Sequence, residues 1–518
     1  MGLEHLESSA PTNPPAMAGL RNFPADPVAW MRRLYRTHGT LSALEEDGQR
    51  VIFAFGPTYN QQILSNTESF HARFFAIRGP RNSAQRRLTH ALLTMNGAEH
   101  KLHRRIVMGP FQKASVDGYR DALAALAEQS IAAWKPGEIR DIFDDMTHYM
   151  LRVASSVLFG FDLPEMAYEI GRLTARWVTM NHELGVGAFV SDEQIASSYY
   201  SLLELAEELE RQIVGMIEQR RSSNAGGNDV LSLLIRARDQ DGNSLSHDEL
   251  IGQAAILFGA AHLTTANTLT WTLFLLAQHP LAAEELVQEL NQILRDQPPT
   301  IGQLDQLKML DRVVKESMRV LPASSYSQRV TAKTVNLGPY RLQRNTPVIF
   351  SQFITHHMPE LFPEPERFLP ERWLSIRPSP YAYMPFAAGP RMCLGGPLAI
   401  LVIKITLATI LQRYRLTVVP GATINGKVTA TMLTPTSAVP MIVHEPTTPF
   451  RAEPVTGNIH EMVILDSAPV TQRSIPPLSH VPDGPVEFQP LAANPATMSP
   501  CGSALSSTAL DASGYEPP

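Results

Sequence analysis

Cys393 stands in the run Phe386-Ala-Ala-Gly389-Pro-Arg391-Met-Cys393-Leu-Gly395-Gly396, just ahead of an apolar stretch that reads as a helix. A helix N-terminus and a nearby arginine both lower the pKa of a thiol, and the thiolate is the form that binds a soft metal ion. Glycines at 389 and 395 permit a tight loop whose backbone approaches a flat ligand closely and whose N–H groups tune the sulfur. A free cysteine is ordinarily a small buried hydrophobe. Here the loop adds a cation and a permissive backbone to the sulfur.

Three other constellations carry chemistry. Glu316-Ser-Met-Arg319 puts an acid and a base on one helical face, a spacing that usually marks a solvated pair contributing ~0.2–0.5 kcal/mol. Arg372 follows in Pro370-Glu371-Arg372-Trp373. His100 and Arg104, four apart in GAEHKLHRRIV, make either an exposed basic turn or half of an anion clamp. Ala260-Ala261-His262-Leu263-Thr264-Thr265 lies inside the longest apolar run, where a threonine hydroxyl most often bonds back to the carbonyl four residues earlier.

The cysteine run fits F-x-x-G-x-R-x-C-x-G, and the order E-x-x-R, P-E-R-W, cysteine loop resembles the cytochrome P-450 superfamily of haem-thiolate monooxygenases from about residue 23 to 443. The resemblance implies that Cys393 is the proximal ligand of haem b, in a loop shaped by Phe386 and Gly389. It implies that His100, Arg104, Arg329 and Arg391 reach the haem propionates, and that Glu316, Arg319 and Arg372 form a buried triad. Thr264 takes the oxygen-activating position. Two departures stand out: the usual glycine is Ala261 and the usual acid is Leu263, which has no proton to relay. Pocket-lining segments are expected at residues 70–77, 176–189, 258–264, 323–325 and 431–435, with Phe74, Phe258, Ala260, Ala323 and Leu433 among the contacts.

By the same resemblance the reaction is insertion of one atom of O2 into a small lipophilic substrate, by hydroxylation or epoxidation. The thiolate's electron donation favours this chemistry. Electrons come ultimately from NAD(P)H through a separate ferredoxin or flavoprotein, with Gln412, Arg413 and Arg415 as a docking surface. Leu263 motivates a second reading, a peroxide-dependent peroxygenase or an isomerase or dehydratase. A third is a haem-binding sensor without turnover.

The elements that must hold these residues are mostly helices. Residues 39–56 read as a hairpin around Asp47-Gly48, and residues 60–290 as helices with apolar positions three and four apart. Ser246 and Glu249 form a capping box that opens the longest helix, and Pro280 closes it. A short helix at 310–320 precedes a strand-rich stretch with a Gly338-Pro339 turn, and the last helix spans about 396–413. We expect a mainly α domain with a small β region, the haem lying between the long helix and the cysteine-loop helix.

The remaining limits come from composition. The chain has 518 residues, 44 basic and 50 acidic, for a net charge of −6. From Glu445 onward there are two basic and eight acidic residues, so the body before it is balanced and offers no basic field for nucleic acid. That last segment holds 13 of the 41 prolines. We therefore expect a polar leader at 1–22, a catalytic domain at 23–444 and a largely disordered acidic tail at 445–518, with HEMVILDSA as the piece best able to order. Two cysteines exclude a disulfide framework, and the N-terminus lacks the basic-then-apolar pattern of a signal. A cytoplasmic protein with no transmembrane anchor is expected.

Overall fold

Ser246 opens the helix that organises the molecule: its hydroxyl accepts from Glu249 N–H (3.2 Å), and the Glu249 carboxylate accepts from Ser246 N–H (2.7 Å). The helix runs His247–Gln278, about 48 Å at 1.5 Å per residue. It is buried on nearly every side, as an all-round apolar helix must be in the centre of a large protein. The exceptions are Leu257, Gly259, Ala260, Ala261, Leu263 and Thr264, which keep accessible surface in the middle of the helix. Surface in mid-core means internal space.

The computed structural model describes residues 13–73, 77, 79–187, 193–222 and 227–468, all within one compact unit. Against the long helix pack Ile142–Phe159, Pro164–Gly187 and the last helix, Gly396–Arg413. That last helix alone among the described residues is long and apolar enough to cross a membrane, and 67% of it is buried within the fold.

The β region sits to one side. Leu41–Glu46 and Gln49–Ala54 pair as the expected hairpin, with Asp47 and Gly48 both at positive φ (51° and 74°), which a two-residue turn matching strand twist requires. Six strands then lie in the order Ala16–Met17, Leu41–Glu46, Gln49–Ala54, Pro347–Phe350, Ser327–Thr331, Phe70–Ala72. The register Ala72↔Arg329 sets Arg329 on the strand beside Phe70–Ala72. A separate hairpin joins Gly426–Thr429 to Met432–Pro435.

The chain stays on the body past Glu445. Val455, Ile459, Met462, Val463 and Leu465 are buried, Ile464 N–H donates to Glu366 C=O (2.8 Å), and Arg32 in the first long helix donates to Glu461 C=O (2.5 Å). Apolar residues at 455–465 supply the burial that a proline-rich average concealed. Residues 469–518, Cys501 included, lie outside the described residues.

Beneath the cysteine loop, Glu316 is fully buried and shared. Arg319 donates to both its oxygens (3.0 and 2.8 Å), as Arg372 Nε (2.8 Å), Trp373 Nε1 (2.9 Å) and Leu369 N–H (2.9 Å) also converge on it. Burial alone would raise the Glu316 carboxyl pKa, but the charge and hydrogen bonds of Arg319, with Arg372 and Leu369, hold it below its usual range. Arg319 also donates to the carbonyls of His356 (2.9 Å), Pro365 (2.7 Å) and Arg367 (2.8 Å), which binds the loop 356–372 to the helix Lys308–Val320.

Breaking such a buried set leaves charge uncompensated, so Glu316→Gln should destabilise the protein by about 3–5 kcal/mol, read as a lower urea midpoint. A carboxyl with a depressed folded pKa stabilises above its unfolded pKa and loses that stabilisation as pH falls through the folded value. Wild type should therefore lose stability on acidification below the ordinary carboxyl range, and Glu316→Gln should lose less. An unchanged urea midpoint would refute the assignment.

Candidate active site

The buried triad reaches the sulfur through one histidine. His356, whose carbonyl accepts from Arg319, accepts Met384 N–H at its Nε2 (2.9 Å), and Met384 leads into the cysteine loop. Gly389 turns the loop at φ +73°, and a side chain there would put Cβ 2.5 Å from Leu64 C=O. Cys393 N–H donates to Phe386 C=O (2.9 Å), closing the loop. Burial pushes the Cys393 thiol pKa up, opposed by hydrogen bonds from Gly395 and Gly396 N–H and by the Arg104 charge. Yet Cys393 has accessible surface. A sulfur both accessible and desolvated faces a cavity inside the fold, and coordination to a metal would overcome the raised pKa by deprotonating it.

A cationic edge adjoins this cavity. Arg104, on Gly97–Val107, donates to Met392 C=O (2.8 Å), and Arg391 donates to Met95 C=O (2.9 Å) and Leu92 C=O (3.1 Å). Arg329 donates only to its neighbour Gln328 C=O (2.8 Å) and lies 5.4 Å over the Phe350 ring. Burial lowers Arg329 to about 10; burial and then repulsion by Arg329 and Arg104 lower Arg391 to about 10. His100 falls to about 4 through burial and the same three guanidinium groups. Among the described residues no carboxylate acts on these arginines.

Three desolvated guanidinium groups, two of them repelling Arg391 and none facing a carboxylate among the described residues, call for an anionic ligand. A flat iron porphyrin with two carboxylates, seated over a thiol with a glycine-permitted loop, fits this donor set. His71 joins the cluster, since the Arg391 charge helps burial lower its pKa. The sequence offered no motif for it; the strand pairing His71↔Val330, one residue from Ala72↔Arg329, brings it here.

On the long helix Thr264 Oγ donates to Ala260 C=O (2.8 Å), and Thr268 Oγ donates to Thr264 C=O (2.9 Å). Ala260 and Ala323 keep accessible surface. Two expected pocket residues do not. Phe258 is fully buried, stacked on Phe159 (centroids 6.0 Å) and beside Gly171, because it lies on the other face of the helix from Ala260 and Thr264. Leu433 is fully buried against Gly426, and strand alternation turns Met432 and Thr434 to the accessible side instead. Phe74 lies outside the described residues, as does Phe189 at the end of the expected 176–189 segment. His262 cannot replace the acid missing at Leu263: it is buried, and its Nε2–H donates to Thr147 C=O (3.0 Å).

Two further basic residues differ from expectation. Arg415 is not a docking residue; it is buried, donating to Leu411 C=O (2.5 Å) at the end of the last helix and lying over Phe450. Arg413 remains half-exposed beside Glu128 (3.2 Å). His103 is buried rather than part of an exposed turn: Nε2 lies 3.1 Å from Glu249 and Nδ1 accepts from Gln253 (3.4 Å), which ties the His100 helix to the start of the long helix.

The cytochrome P450 family model matches residues 12–440. The chain is 33% identical over 393 residues to cyclooctat-9-en-7-ol 5-monooxygenase of Streptomyces melanosporofaciens, covering 75% of this chain and 84% of the relative. It is 28% identical over 415 residues to pentalenene oxygenase of Streptomyces avermitilis, covering 76% and 90%. Retinoic-acid-bound cyanobacterial CYP120A1 superposes with a TM-score of 0.72 at 23% identity, over 84% of this chain and 99% of that one. A cytochrome P450DA mutant haem domain superposes at 0.74 and 22% identity, over 85% and 100%. The mainly helical fold with its lateral sheet is thus the P450 fold, and the chain belongs to the cytochrome P450 family, as a haem-dependent oxidoreductase of the monooxygenase kind.

Proposed function

We propose that Cys393 Sγ would hold haem b as its thiolate ligand in a monooxygenase that hydroxylates or epoxidises a lipophilic small molecule. The observation that carries this reading is a desolvated, cavity-facing sulfur beside three arginines that lack a counter-charge. Gly395 and Gly396 N–H stabilise the thiolate, while Arg104, Arg329 and Arg391 neutralise the two propionates and His100 serves as a neutral hydrogen-bond donor. When bound, haem supplies the reductive activation of O2 and the transfer of one oxygen atom to a C–H or C=C bond.

The protein's part is to hold substrate and move protons. Ala260, Leu263, Ala323 and Met432 offer an apolar wall that desolvates a hydrocarbon skeleton. Thr264 holds its hydroxyl proton on Ala260 C=O, and that proton becomes available once this bond is exchanged for one to water or ligand. With leucine at 263 and His262 engaged, protons enter through water at Thr264. The relatives named above act, by their names, on cyclooctat-9-en-7-ol and pentalenene, which supports a terpenoid skeleton here. Electrons come from NAD(P)H through a ferredoxin or flavoprotein meeting the Arg413 side, in the cytoplasm. Leu263 favours one alternative, direct use of peroxide.

Reduced wild type under CO should show the red-shifted Soret band of a thiolate-ligated haem, and Cys393→Ser should lose it; a wild-type spectrum without that shift would refute the ligand assignment. Thr264→Ala should lower the product formed per electron consumed by about tenfold or more, with peroxide released, in line with the 10²–10⁴ contributed by a placed proton donor. Unchanged coupling, or turnover with peroxide and none with any reductase pair, would favour the alternative.

A further inference from the structure

At the edge of the oxygen-activating wall, one turn past Leu263 and Thr264, Asn267 is fully buried. Its Nδ2 donates to Thr434 Oγ (2.9 Å), while its Oδ1 has no partner. Thr434 is on the accessible face of its strand, next to the hairpin tip, and that strand runs along residues 323–325 through Ser325 N–H to Thr431 C=O (2.8 Å) and Leu433 N–H to Ala323 C=O (3.1 Å). An amide carbonyl left unpaired in a protein core is costly, so it marks a position that water or a ligand completes.

The neighbouring hydroxyls are committed. Thr264 and Thr268 give their protons to carbonyls of their own helix. Thr434 is different, because its oxygen accepts from Asn267 and, among the described residues, its proton has no acceptor. The pair therefore keeps one free donor and one free acceptor. Turning the amide over exchanges the roles of the two residues and leaves the same balance. One donor beside one acceptor is the complement of an alcohol, which both gives and takes a hydrogen bond.

We propose that Thr434 and Asn267 bind a hydroxyl group already present on the substrate, so that this P450 oxidises alcohols of an otherwise apolar alicyclic skeleton. The proposal rests on the oxygenase site described above and adds the substrate class. Thr434 would donate to the alcohol oxygen and Asn267 Oδ1 would accept the alcohol proton, so both are contacting residues. The chain then acts after a hydroxylation or a hydration has placed the first oxygen.

The test uses holoenzyme and a matched pair of probes, cedrol and cedrane, titrated by the low- to high-spin shift of the ferric haem. Wild type should bind cedrol about three- to tenfold more tightly than cedrane, the worth of one net hydrogen bond. Thr434→Val should bring the ratio near one, Thr434→Ser should retain it, and Asn267→Leu should lower it. A merely structural role would weaken both probes alike and leave the ratio intact. Equal affinities in wild type, an unaltered ratio in Thr434→Val, or no spin shift with cedrol would overturn the proposal. The ferrous–CO spectrum of the same samples separates the two readings: a thiolate spectrum without alcohol preference removes only the role of the pair.

Discussion

One buried carboxylate receives five hydrogen bonds and carries the architecture around the sulfur. Glu316 accepts from Arg319, Arg372, Trp373 and Leu369 N–H, and Arg319 in turn gathers the carbonyls at 356, 365 and 367. An ion pair taken out of water gains little net stability, and its usefulness lies in geometry: every donor has one acceptor, so the loop has one position. His356 transmits that position to Met384 and the cysteine loop. The sulfur's placement thus depends on a charge that never touches it.

The two walls of the cavity are governed by different physics. The wall beside the sulfur is electrostatic: desolvated Arg329 and Arg104 repel Arg391, a cost that an anionic ligand would relieve. The distal wall is steric and apolar, with small residues at 260 and 261 opening space in an otherwise packed helix. A wall of this kind selects by shape, and a single polar pair can discriminate more sharply than added apolar contacts, because an unmatched buried polar group is penalised.

Much of this was legible in the sequence for local reasons. The capping box at Ser246, the Asp47-Gly48 turn and the glycines around Cys393 act within a few residues, so they read directly. Orientation did not. On a helix apolar all round, nothing in the pattern says that Ala260 rather than Phe258 faces the cavity; packing of Phe258 on Phe159 decides it. On the strand Met432–Pro435 a shift of one residue inverts every side chain, and the partners at 323–325 fix which of Leu433 and Thr434 turns outward. Arg415 looked like a surface charge at a helix end, but its guanidinium serves the helix's own last carbonyls. His103 and His71 needed long-range register to acquire neighbours at all.

The bond between Arg32 and the carbonyl of Glu461 joins residues 429 positions apart. During synthesis at about 5–20 residues per second, the first long helix therefore waits on the order of tens of seconds before its final partner leaves the ribosome. Until then the face that segment 455–465 will cover is open, and a basic side chain destined for burial remains hydrated. Closure of the body is a late event in translation, and a chain stopped short of residue 465 would carry Thr264 and Cys393 yet lack the segment that packs on the helix of Arg32.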